Sequence, residues 1–122
     1  MKQACTPEFL KGVEEFNQRQ FFRCHETLEK LWQEQQPPEK DFTQGIIQIA
    51  VGYHHLSRNN WLGARKLFRR GLERILPFKP VHLGLNVTQL SDQVAGTLVQ
   101  LENPEGRKTG TLEFPKILFI QD

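Results

Sequence analysis

Apolar and polar positions follow a helical period along most of the chain. Phe9, Val13 and Phe16 share one face of a segment that opens Thr6-Pro7-Glu8. Thr6 suits a helix cap and Pro7 the first helical position, where a missing N–H costs nothing. This predicts a short helix to about Asn17, a polar turn to Gln20, and a second helix from about Phe21 to Gln35. Pro37-Pro38 breaks the chain before a third helix, expected from about 39 to 58. Asn60 can cap a fourth helix from Trp61 to about Leu76, with Ala64, Phe68, Leu72 and Ile75 on its core side; Pro77 and Pro80 stop it. Val87, Leu90, Val94, Leu98 and Leu101 mark a fifth, ended by Asn103-Pro104.

The third helix organises the rest. From Phe42 to Ser57 it contains no Lys, Arg, Asp or Glu, and a helix apolar most of the way round is a buried one. Phe42, Ile46, Ile49 and Tyr53 fall on one side, Gln44, Gln48, Val51 and His55 roughly opposite. Gly45 and Gly52 share a third strip, where another helix can approach closely. A faint repeat runs through the chain at a shift of forty positions: Phe16 falls on Leu56, Phe21 on Trp61, Cys24 on Ala64, Leu28 on Phe68 and Trp32 on Leu72. The fold expected is all-α, five helices in tandem antiparallel hairpins around the buried central one.

Composition adds the setting. The chain has 122 residues, 38% hydrophobic and 25% charged, with a mean hydropathy of −0.53. That suits one domain, taken here as residues 1–104, with a tail at 105–122. The apolar residues of the tail, Phe114 and Ile117 to Ile120, are expected to lie extended against the body or a partner, which allows a homodimer. No apolar run approaches the ~20 residues of a membrane span, and no signal-peptide core is present, so the expected location is cytoplasmic. Cys5 and Cys24 match no metal or redox spacing and read as free thiols.

Charge is uneven. Between Arg58 and Lys79 seven basic residues face one acid, Glu73. Arg65, Arg69 and Arg70 make this stretch a candidate anion surface, for RNA, nucleotide or an acidic protein partner; the plainer reading is a solvated helix face.

The second helix carries the other candidate. With Phe21, Phe22, Cys24, Leu28, Leu31 and Trp32 taken as its apolar arc, His25 and Glu29 fall inside that arc and, four apart, can meet. In an antiparallel hairpin across Pro37-Pro38, His25 comes level with Gln48 and Glu29 with Gln44. One reading is a buried structural network of these four. The other treats His25-Glu26-Thr27-Leu28-Glu29 as an H-E-x-x-E run, with His25 and Glu29 holding a divalent metal and Glu26 as the base beside them. His54 and His55, the natural further ligands, are expected about 9 Å or more above His25. A metal-free version has His25 and Glu29 exchange a proton.

These residues carry a resemblance. Gly12-Val13-Glu14-Glu15-Phe16-Asn17, Phe21-Phe22-Arg23-Cys24-His25-Glu26-Thr27-Leu28-Glu29 with Trp32, then Gln44-Gly45-Ile46-Ile47-Gln48 and His55 resemble the small helical family called domain of unknown function 309. The similarity runs from Phe9 to Leu76 and departs at Arg23, where the family usually has an acid. The resemblance implies packed helices and brings the label of predicted metal-dependent hydrolase, with no agreed substrate.

Overall fold

The computed structural model of the chain describes residues 6–103 and 114–120. Five helices make the body: α1 Pro7–Asn17, α2 Phe21–Glu34, α3 Glu39–Ser57, α4 Trp61–Ile75 and α5 Val87–Glu102. The fold is all-α, as the hydrophobic period predicts. The Thr6 hydroxyl accepts from the Phe9 N–H at 3.2 Å, and Asn60 and Asn86 cap α4 and α5 through the N–H groups of Gly63 and Gln89, each at 3.0 Å.

The forty-residue repeat is structural. The α1–α2 turn passes through Arg19 at φ +63° and the α3–α4 turn through Asn59 at φ +61°, the left-handed region that side chains seldom adopt. The Gln20 N–H returns to Glu15 O at 2.8 Å, and the Asn60 N–H to His55 O at 2.9 Å. Gly12 lies against Leu28 and Gly52 against Phe68 with no room for a side chain. Two hairpins of one design therefore stand side by side.

Their core is the face of α3 read from the sequence: Phe42, Ile46, Ile49 and Tyr53 are fully buried. The opposite side, with Gln44, Gln48, Val51 and His55, is half-buried. The glycine strip brings α4 down onto α3, and Gly71, on α4, meets it from the other side. A Cβ on Gly71 would stand 2.6 Å from Ile49 Cγ1 and 3.0 Å from Gly45 O. Leu72, expected in the core, is only half-buried; Gly71 takes the contact because it alone permits this approach.

Two strand pairings were not legible beforehand. After a 3₁₀ turn at Leu76–Phe78, Val81–His82 (β1) pairs antiparallel with Leu85–Asn86 (β2) across Leu83 and Gly84, both at positive φ. Such a two-residue turn suits a hairpin. Residues 114–120 then run beside β2: Asn86 N–H donates to Leu118 O at 2.8 Å and Ile120 N–H to Gly84 O at 2.7 Å. The Asn17 side chain clamps Ile117 by accepting from its N–H at 2.7 Å and donating to its carbonyl at 3.0 Å. The boundary expected at 104 and Cys5 lie outside the described residues. Among those described, no helix is long and apolar enough to cross a membrane.

The two kinds of glycine separate in a stability experiment. Gly71→Ala forces a methyl against backbone and should cost about 1 to 3 kcal/mol. Gly96, in α5, has nothing within 4 Å of its would-be Cβ, so Gly96→Ala should gain roughly 0.5 to 1 kcal/mol from helix propensity. Urea unfolding of the two variants beside the parent measures both signs.

Candidate functional site

On α2 the buried residues are Phe21, Cys24 and Leu28, and they centre the core-facing side one position away from His25. Phe22, counted as apolar arc in the sequence, is 53% exposed. Without it the arc ends at Trp32 and His25, and Glu29 falls beyond its rim. The pair does form: His25 Nε2 lies 3.2 Å from Glu29 Oε2, with the two side chains 26% and 49% exposed. The expected buried cluster is corrected to a half-exposed His25–Glu29 contact at the edge of the bundle.

The glutamines do not complete it. Among the described residues, neither Gln44 nor Gln48 hydrogen-bonds to His25 or Glu29, and Gln48 Oε1 and His25 Nδ1 are both buried without a partner. The pair therefore turns Nε2 outward to its carboxylate and Nδ1 into the protein. Glu26, expected beside it as a base, points elsewhere: consecutive helical residues diverge by 100°, and Glu26 lines a groove between α1 and α2.

Phe22 stands in contact with both His25 and, on α3, His54. Its ring lies 5.6 Å from His25 and 5.4 Å from His54, centre to centre. Burial, and then the charges of Arg58, His55 and His25, lower the pKa of His54. His55 is held differently. Asn60 Oδ1 is committed to the Gly63 N–H, so its Nδ2 donates to His55 Nδ1 at 3.3 Å and the ring proton sits on Nε2. No group of three His, Cys, Asp or Glu among the described residues converges on a metal position, so His25 and Glu29 gain no third candidate from them.

His82, uninformative in the sequence, seals the start of α3. Its ring lies 4.8 Å from Phe42 and 4.6 Å from Phe78, and Nε2 is 3.6 Å from Glu39 Oε2. Burial lowers its pKa against the opposing pull of Glu39.

The basic stretch is partly neutralised. Arg69 is paired with Glu102 from α5, and Arg74 Nη1 stands 3.8 Å from Asp41 Oδ1. Arg65 is half-buried with an unpartnered Nε. Arg70 and, one turn before it, Lys66 are exposed and have no acid within ion-pair distance among the described residues. Lys66 was absent from the residues singled out by sequence, although its spacing from Arg70 was visible there.

Residues 9–67 match the family model described as Domain of unknown function (DUF309). The chain is also 34% identical over 95 residues, 75% of its length, to the uncharacterized protein YpuF of Bacillus subtilis (strain 168). It spans about half of that relative, the match covering 54% of it.

The lowered histidines predict a pH dependence. A histidine whose folded pKa lies below its unfolded value contributes stability that is complete above the unfolded value, ordinarily 6.5, and is lost as pH falls through the folded one. The melting temperature should therefore drop between about pH 7.5 and about pH 5.5. The drop should shrink in His54→Gln and again when His82→Gln is added, as read by thermal melts across that range.

Proposed function

The hairpins of residues 9–67 belong to the domain of unknown function 309 family, which prescribes no activity, and on that premise we propose that this protein is a helical interaction module that holds an anionic partner, RNA or an acidic protein segment, on the outer face of α4. One observation carries the reading: Lys66 and Arg70, a turn apart, are exposed and have no acid within ion-pair distance among the described residues, with Arg65 next to Lys66 in sequence. Opposite charge supplied by a partner would find them uncommitted, whereas Arg69 and Arg74 already have acids. Contacts of this kind are electrostatic and weaken steeply with salt.

The test is fluorescence anisotropy with a single-stranded RNA oligonucleotide and, separately, a poly-glutamate peptide, over a salt series. Three phosphate contacts would give a log–log slope of about −2 for single-stranded RNA. Lys66→Glu with Arg70→Glu should weaken binding and flatten that slope, while Arg69→Ala should change it less. Binding that ignores salt, or survives the double reversal, defeats the reading.

A second reading, metal-dependent hydrolysis at His25 and Glu29, draws on the 3.2 Å approach of Nε2 to Oε2. Against it, no third His, Cys, Asp or Glu among the described residues joins them in a possible metal site, and Glu26, the base of that reading, lines the α1–α2 groove instead. Elemental analysis after exposure to zinc, manganese and iron, beside Glu29→Gln, decides it. We expect no near-stoichiometric metal and, for the variant, a stability change within about 0.5 kcal/mol, the worth of a half-exposed i,i+4 pair. Stoichiometric metal lost in Glu29→Gln would restore the hydrolase.

A further inference from the structure

Glu15 is the most deeply buried carboxylate described. It lies on α1 one position before Phe16, 7% exposed, and its Oε1 has no hydrogen-bond partner. The cause is local. Gly12 lets α1 close onto Leu28 of α2, and that crossing draws the next turn of α1, with Glu15, against its neighbour. The second hairpin shows what the first lacks. His55 occupies the place of Glu15 forty residues on and receives the Asn60 side chain at 3.3 Å. Gln20 stands where Asn60 would, and its side chain makes no cap bond.

Glu15 is also part of a wall. It lines a groove of about 390 Å³ between α1 and α2, at the small end of the ~300 to 1,000 Å³ typical of ligand pockets. The acids of this groove are Glu8, Glu15 and Glu26; its bases are Lys11, Arg23 and Lys30; Thr27 adds a hydroxyl. Among the described residues none of these charges is ion-paired with another, although Lys11 and Glu15, and Glu26 and Lys30, are each four apart on one helix. The Cys24 thiol adds no charge here: burial, and then the Glu15 carboxylate itself, push its pKa up to about 12, so it stays neutral.

A buried carboxylate oxygen without a donor is costly. The most direct relief is a donor brought by a ligand. A simple cation would satisfy the acids and leave the bases facing it; a simple anion would do the reverse. With both signs in equal number, the matching ligand carries both. We propose that this groove binds a small zwitterion of the α-amino acid class, its ammonium on Glu15 with Glu8 and Glu26 beside it, its carboxylate on Arg23 with Lys11 or Lys30. Glu26, which has no part in the His25 pair, finds its role here. Arg23, exposed at the edge of the groove, becomes the residue that selects the carboxylate.

This site is separate from the α4 face, and the experiment keeps them apart. The full chain is screened by thermal shift against the standard L-amino acids one at a time, and any that stabilises it is titrated by calorimetry. The expected result is saturable binding of at least one, weakened about tenfold or more in Glu15→Gln and, independently, in Arg23→Gln. Arg23 is exposed, so its variant should fold even if the Glu15 variant does not. The decarboxylated amine and the deaminated acid of the same compound should each bind much more weakly, and Lys66→Glu with Arg70→Glu should leave the affinity unchanged. Three outcomes overturn the proposal: no amino acid binds, the amine alone binds as well as the zwitterion, or inorganic phosphate competes as well as either.

Discussion

The ring of Tyr53 is the point on which the helices are hung. It packs against Phe16 of α1 at 6.1 Å, Phe21 of α2 at 5.5 Å and Phe68 of α4 at 4.6 Å between centroids, and against Phe114 from the chain's last described segment at 5.5 Å. The fifth helix is reached by the hydroxyl, 3.0 Å from Thr97 Oγ1. Thr97 donates its own proton to Gln93 O at 3.1 Å, so the phenol must be the donor. Burying it pushes its pKa well up, and a buried hydroxyl without that acceptor would cost about 1 to 3 kcal/mol. Apolar packing thus gathers four partners at one residue, and one polar bond fixes how α5 is turned toward them.

Around that centre the chain uses one hairpin twice, and the candidate sites occupy matching positions in the two copies. Forty residues separate His25 from Arg65, Glu26 from Lys66, Glu29 from Arg69 and Lys30 from Arg70. The core positions under them keep their size or burial, since Cys24 and Ala64, and Leu28 and Phe68, are all fully buried. The surface positions have diverged in charge. A core position is constrained by its neighbours' volume; an exposed one is free to change sign at little cost to the fold. Acid and imidazole on α2, guanidinium and ammonium on α4, are what such freedom produces.

The same distinction explains what could be read beforehand. Helix bounds were legible because caps and breakers act within a few residues: Thr6-Pro7, Pro37-Pro38 and Asn60 each decide locally. The Gly45 and Gly52 strip was legible because a helical glycine asks for a close neighbour. The buried cluster at His25 was misplaced because one aromatic, Phe22, was counted toward the core, and periodicity cannot tell an apolar residue beneath a neighbouring helix from one at the bundle's edge. Glu102 neutralising Arg69, and the segment after Phe114 joining β2, depend on partners far along the chain. Glu15 left a trace only in Gly12, whose missing side chain lets α2 approach closely enough to cover it.

Electrostatic range sets how far the proposed sites can influence one another. Packed helices lie about 8 to 10 Å apart axis to axis, and charges in physiological salt are screened over about 8 Å. The α1–α2 groove and the outer face of α4 have the full width of α3 between them, and α3 carries no charged side chain other than histidine from Phe42 to Ser57. Its low-dielectric core transmits fields better than water does, but the groups in question are mostly half or fully exposed and hence screened. A ligand neutralising Arg23 should thus leave Lys66 and Arg70 as they were. Coupling between the two faces, if a partner imposed it, would have to be mechanical and pass through the contacts that Tyr53 and the glycine strip make with α4. Those contacts are closely packed and leave little room for a second arrangement.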